Sequence, residues 1–179
     1  MYVGDRASIA VKDVEAIVTR NKQARAFALG EALGDRDLPK LLRTLDEELW
    51  EMKFDSQKSE IGILYGLISK VRAMIFVREM LREGWIKPVN DFTSFKGQLE
   101  RVPAEQLPQD RRFNPLAMNA YILFKAMPQA RKYSTEELVR AMELLLRCNQ
   151  RLIFSNLDGA LVLQQTLVQI VRGDSAATQ

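Results

Sequence analysis

Between Gln57 and Arg82 the chain sets Ile61, Leu64, Leu67, Ile68, Val71, Met74, Ile75 and Leu81 three and four residues apart, with no proline before Gly84. That periodicity belongs to a helix. At roughly 1.5 Å per residue it spans close to 40 Å. Its apolar face is too broad to be covered from one side, so the helix is expected to be the spine of a bundle. No stretch of the chain alternates with period two over more than a few residues, which leaves no candidate strand.

Shorter helices flank this spine. Ser8 can cap one from Ile9 to about Arg20, with Ile9, Val14, Ile17 and Val18 on its apolar side. A second runs from about Lys22 to Leu33, with Gly34 expected as the left-handed residue that ends it. Asp35 or Asp37 can cap a third, and Pro39 falls in its first turn, where a missing N–H costs nothing. Leu38, Leu41, Leu42, Leu45 and Leu49 form its stripe. The region 85–113 is the least regular and holds Pro88, Pro103 and Pro108. Within it, Asp91 to Arg101 reads as a short helix with Phe92, Phe95 and Leu99 turned inward. Arg101 to Asn114 reads as an exposed loop. Pro115 opens a helix to about Arg131, and Pro128 demands a kink or an early stop. Ser134-Thr135-Glu136-Glu137 is a capping box. The helix it starts runs to about Phe154, with Leu138, Met142, Leu145 and Leu146 facing in. After a turn at Ser155–Asp158, a last helix extends from about Leu157 to Arg172, and the tail 174–179 reads as disordered. The expected fold is an all-α helical bundle of about six to eight helices.

Several functions are disfavoured by what the sequence lacks. It has no histidine and one cysteine, so neither a Cys/His zinc site nor a Ser-His or Cys-His nucleophile pair can be built. Neither a GxxxxGK[ST] phosphate loop nor a GxGxxG turn occurs. No catalytic residue, metal site or cofactor is expected, although a carboxylate-only mechanism stays formally open. No apolar run approaches the roughly 18 residues of a membrane helix. The segment MYVGDRASIA carries acid and lacks an apolar core, unlike a signal peptide. Cys148 has no internal disulfide partner, which fits a reducing, cytoplasmic setting. Standing among leucines, it reads as a small buried apolar residue.

The net charge is only +3, but its distribution is uneven. From Arg111 to Arg151 there are eight basic and three acidic residues, whereas Asp46 to Glu51 holds four acids in six positions. Arg140, Arg147 and Arg151, spaced seven and four apart, share one helix face. Each charged group is either a solvated helix side or a surface for a partner. Trp50 and Trp85 are open to the same choice between core packing and an interface anchor. Asp158, Glu136 and Glu137 read as caps and helix-start acids rather than catalytic carboxylates.

The segment 23–48, QARAFALGEALGDRDLPKLLRTLDEE, stands downstream of DVEAIV (Asp13 to Val18). With the long helix ILYGLISKVRAMIFVREMLREG, the helix opened by Pro115 and the element Arg131-Lys132-Tyr133-Ser134-Thr135-Glu136-Glu137-Leu138, it resembles the C-terminal part of the DNA polymerase III delta subunit family. That family supplies a subunit of the bacterial clamp loader. The resemblance covers about residues 8 to 172. Two departures are visible: the connector from Trp85 to Asn114 is longer than the family pattern, and the Pro115 helix is extended.

The resemblance implies the tail of a lid domain over residues 1–20 and a helical collar domain over 21–173. It implies an assembly role with no chemistry of its own, inside a replication complex whose enzyme is the DNA polymerase III holoenzyme. The implied partners are the other clamp-loader subunits in a hetero-oligomeric ring, and primed DNA through the assembled complex. The sliding clamp would be reached through an N-terminal ATPase-like module absent from this sequence, so a fragment or a split protein is expected. Arg140, Arg147, Arg151 and Phe154 become candidate contacts to DNA or a partner, against a solvated face and a buried phenylalanine. Asp46, Glu47, Glu48, Trp50 and Glu51 become candidate subunit-interface residues, against simple solubility. The competing class is a stand-alone helical adaptor or regulatory domain. A basic nucleic-acid-binding module is weaker still, because no helix-turn-helix offers a convincing recognition helix.

Overall fold

The computed structural model describes residues 27–173, in which every regular element is helical and no strand occurs. The expected helix from Ile9 to Arg20 with its Ser8 cap, and the tail 174–179, lie outside the described residues. Helix α1 covers 27–35 and is followed by α2 (Leu38–Met52), α3 (Glu60–Arg82) and α4 (Phe92–Leu99). The chain ends with α5 (Ala120–Ala130), α6 (Thr135–Phe154) and α7 (Gly159–Arg172). Short 3-10 turns stand at Ala104–Gln106 and Pro115–Ala117.

Helix α3 is the spine that its periodicity predicts. Leu64, Leu67, Val71, Ala73, Met74, Val77 and Met80 are buried, and α5, α6 and α7 all pack against it. The helix starts later than Gln57 because Ser59, in extended conformation, accepts the Gly62 N–H. It ends at Gly84, whose φ of +72° lets the Trp85 N–H reach the Met80 carbonyl. Helices α6 and α7 run antiparallel, since Arg151 meets Gln165 while Gly173 approaches Glu137. Helix α2 lies on α7, where Gln164 donates to Asp46.

Side-chain caps account for most of the helix starts. Asp37 accepts from Lys40 N–H, Asp91 from Ser94 N–H and Asp158 from Leu161 N–H. Ser134 and Glu137 close the capping box in both directions. Each removes an orphan donor from a helix start, worth about 1 kcal/mol.

Four expectations are corrected. Gly34 is not the left-handed residue: α1 continues past it and Arg36 takes φ +59° instead. Arg36 N–H bonds to Leu33 and Asp37 N–H to Ala32, the paired bonds of a Schellman ending. The second correction concerns Pro115, which opens only a 3-10 turn. Met118 leaves it in extended conformation and Asn119 caps the true start of α5. Pro128 sits inside α5, which ends two residues later. Third, Leu146 faces out and is 58% exposed. Fourth, Phe92 is only partly inward, edge-on to Tyr121 and Phe124, while Phe95 and Leu99 are buried as expected. The segment 101–114 is largely exposed but buries Val102.

The α1–α2 turn is docked on the α5–α6 junction. Tyr133, buried, donates its hydroxyl to the Leu33 carbonyl at 2.5 Å. The Arg36 guanidinium lies 4.1 Å over the Tyr133 ring and pairs with Glu137. Lys132 reaches Asp35 at 2.7 Å. Gln129 donates to the Glu31 carbonyl at 3.3 Å and carboxylate at 3.0 Å, and Lys70 pairs with that carboxylate at 2.6 Å. Gly34 admits this approach, because a Cβ there would stand 2.7 Å from the Gln129 side chain.

Two predictions follow from this contact. Alanine at an ordinary helical glycine stabilises by about 1 kcal/mol. Gly34→Ala should instead lower the unfolding free energy by about 1 kcal/mol, read from urea unfolding, because buried Gln129 must shift away from Glu31. The double variant Gly34→Ala with Gln129→Ala should lose the clash penalty, and additive losses would exclude this account. The second prediction concerns acid. Burial favours the protonated forms of Asp35 and Glu137. It is outweighed by Lys132 and Gln129 at Asp35, and by Arg36 and the Ser134 N–H at Glu137, so both carboxyls are held below their ordinary values. Their stabilising contribution is therefore complete above the ordinary values of 3.8 and 4.5 and fades as pH falls through the lower folded-state values. Melting temperatures between neutral pH and pH ~3 should fall less steeply for Glu137→Gln than for the unmodified chain.

Candidate protein-interaction surface

Helix α6 has two apolar sides. Its inner side, Leu138, Ala141, Leu145 and Cys148, is buried against the bundle. Burial pushes the Cys148 thiol above its ordinary value, so it is an inert core group there. On the outer side Val139, Leu146 and Ile153 stand in heptad spacing and are 47%, 58% and 51% exposed. At about 100° per residue the three lie within roughly 40° of one line along the helix. Arg140, Arg147 and Arg151, all exposed, lie roughly 80° to 120° round the helix from Val139 and form one flank. The expected shared face of these arginines is present, and Arg151 donates to Gln165 at 3.3 Å.

Phe154 ends α6 at 84% exposure, which overturns the reading of it as a buried residue. It belongs to a group of exposed apolar side chains at one end of the bundle. Leu157 and Leu161 follow it on the α6–α7 turn and the start of α7. Gly159 stands against Glu60 at the start of α3, and Lys58, just before α3, pairs with Glu48 and Glu51 of α2. The end of α2 is thus at the same end of the bundle. There Trp50, 59% exposed, meets Phe54 edge-on at 5.4 Å, with Lys53 Nζ 5.3 Å from its ring centre. Trp50 is therefore not a core residue, whereas Trp85 is half-buried against the core.

The acidic stretch of α2 is divided. Asp46 and Glu47 are exposed, and Asp46 accepts from Gln164 at 3.1 Å. Glu48 does not belong to an interface: it is 5% exposed and paired with Lys58 at 2.9 Å. Glu51 is paired with the same ammonium at 2.8 Å. Both acids point toward the loop that leads into α3 and are spent on holding α2 to it. Glu136 and Glu137 behave as helix-start acids. The Ser134 side chain holds Glu136 below its ordinary value, and Glu137 closes the capping box.

The described residues contain no group of three His, Cys, Asp or Glu side chains able to hold a metal. None of the described helices is long and apolar enough to cross a membrane. The cavities are open grooves. One of about 190 Å³ runs beside Gly62 and Gly66 of α3, with Glu48 and Lys58 in its wall.

No protein-family model matches the chain, and no curated protein matches its sequence. The structure matches a solved clamp-loader protein. That protein is the Bacillus subtilis DNA clamp loader delta protein (YqeN), at a TM-score of 0.60 and 19% sequence identity. The match takes in 96% of this chain and 43% of that one, so the chain spans less than half of the length of its structural neighbour. The fold is thus clamp-loader-like along nearly its whole length.

The outer stripe of α6 escaped the sequence reading because leucines crowd this helix. Leu144, Leu145 and Leu146 occupy three adjoining directions, and only the seven-residue recurrence of Val139, Leu146 and Ile153 separates out from in. The pairing of Glu48 gives a direct test. Lys58→Met leaves a buried carboxylate without its cation, so unfolding stability should drop by about 3 kcal/mol. Adding Glu48→Met should recover most of that loss in denaturant unfolding. Equal stability of Lys58→Met and the unmodified chain would mean that Glu48 is solvated.

Proposed function

We propose that this chain is an assembly domain of a bacterial clamp loader, equivalent to the helical collar of the DNA polymerase III delta subunit. The observation that carries this reading is the fold likeness over 96% of the chain to part of a clamp-loader delta protein. A surface that leaves the α6 stripe, Trp50, Phe54 and Phe154 in solvent supports it, because contiguous exposed apolar groups mark interaction sites. In this reading residues 21–173 form the collar and 1–20 the end of a lid domain. The other loader subunits are the direct partners in the ring. Primed DNA is met through the assembled complex, and the sliding clamp through a preceding module of the parent protein. The domain catalyses nothing itself, serves the DNA polymerase III holoenzyme and works in the cytoplasm. Asp46, Glu47 and Trp50 form one contact area and the outer side of α6 another.

The reading is tested by mixing the 179-residue chain with the purified other clamp-loader subunits of its organism, without ATP. Stable co-elution with at least one subunit is expected. A chain that is folded and helical by circular dichroism yet binds none of them is a stand-alone adaptor domain instead.

A further inference from the structure

We draw no further inference here: the strongest candidate, the exposed apolar stripe of Val139, Leu146 and Ile153 on the outer side of α6, is flanked by acids and arginines that suit a second copy of the chain as well as a foreign helix, and nothing in the structure shows what covers it.

Discussion

The bundle depends on a contact between two segments about a hundred residues apart, GDRD at 34–37 and RKYSTEE at 131–137. Apart from the buried Tyr133, neither segment belongs to the core, yet each supplies what the other lacks. The α1–α2 turn offers a carbonyl at Leu33, a carboxylate at Asp35 and a guanidinium at Arg36. The α5–α6 junction offers the Tyr133 hydroxyl, the Lys132 ammonium and the Glu137 carboxylate. Burial pushes the Tyr133 phenol up to about 12, against the pull of Arg36, so it remains a neutral donor to Leu33 across the ordinary pH range. Arg36 at φ +59° costs about 1 kcal/mol or more for a residue with a Cβ. The cost is tolerable because this geometry lays its side chain between a ring and a carboxylate. Glu137 closes the capping box and pairs with Arg36 at once, so the same side chain starts α6 and ties it to α1.

This contact explains which parts of the fold are legible in the sequence. Local rules read well where the interaction is local. The stripe of α3, the Asp37, Ser134 and Asp158 caps and the Gly84 ending all involve residues within a turn or two of each other. Gly34 misleads because its role is tertiary. A glycine after an apolar helix face normally signals a left-handed ending, but here its bare Cα makes room for Gln129 from α5. Glu48 misleads for the same kind of reason. In a run of four acids it looks solvated, and only the later fold brings Lys58 onto it. Pro115 reads as a helix start, whereas Asn114 and Asn119 each cap a separate start and divide the segment.

The surface was harder to read than the core. Arg140, Arg147 and Arg151 stand out because charge is visible in a sequence at any spacing. Val139, Leu146 and Ile153 do not, because an apolar residue on a helix is presumed to face in. A helix whose inner and outer sides are both apolar reads as a buried helix, and α6 is buried on one side only. The arginines and the aliphatic stripe belong to one surface, of which the sequence displays the charged half.

An exposed stripe is a liability that a domain evolved to stand alone would be expected to lose, since it invites non-specific association. Here it sits on a well-supported helix, backed by α3 and α7 and fixed at its start by a box that also holds the α1–α2 turn. A loop carrying the same three residues would have to be ordered each time it bound. A rigid helix has met that cost in folding, so more of the apolar contact appears as affinity. The interaction at Tyr133 and Glu137 and the stripe of α6 are connected in this sense: the first keeps still the element on which the second is displayed. Were the outer side of α6 to seat a partner, as proposed, loosening the α1–α2 turn would weaken that association even though no residue of the turn lies on that side.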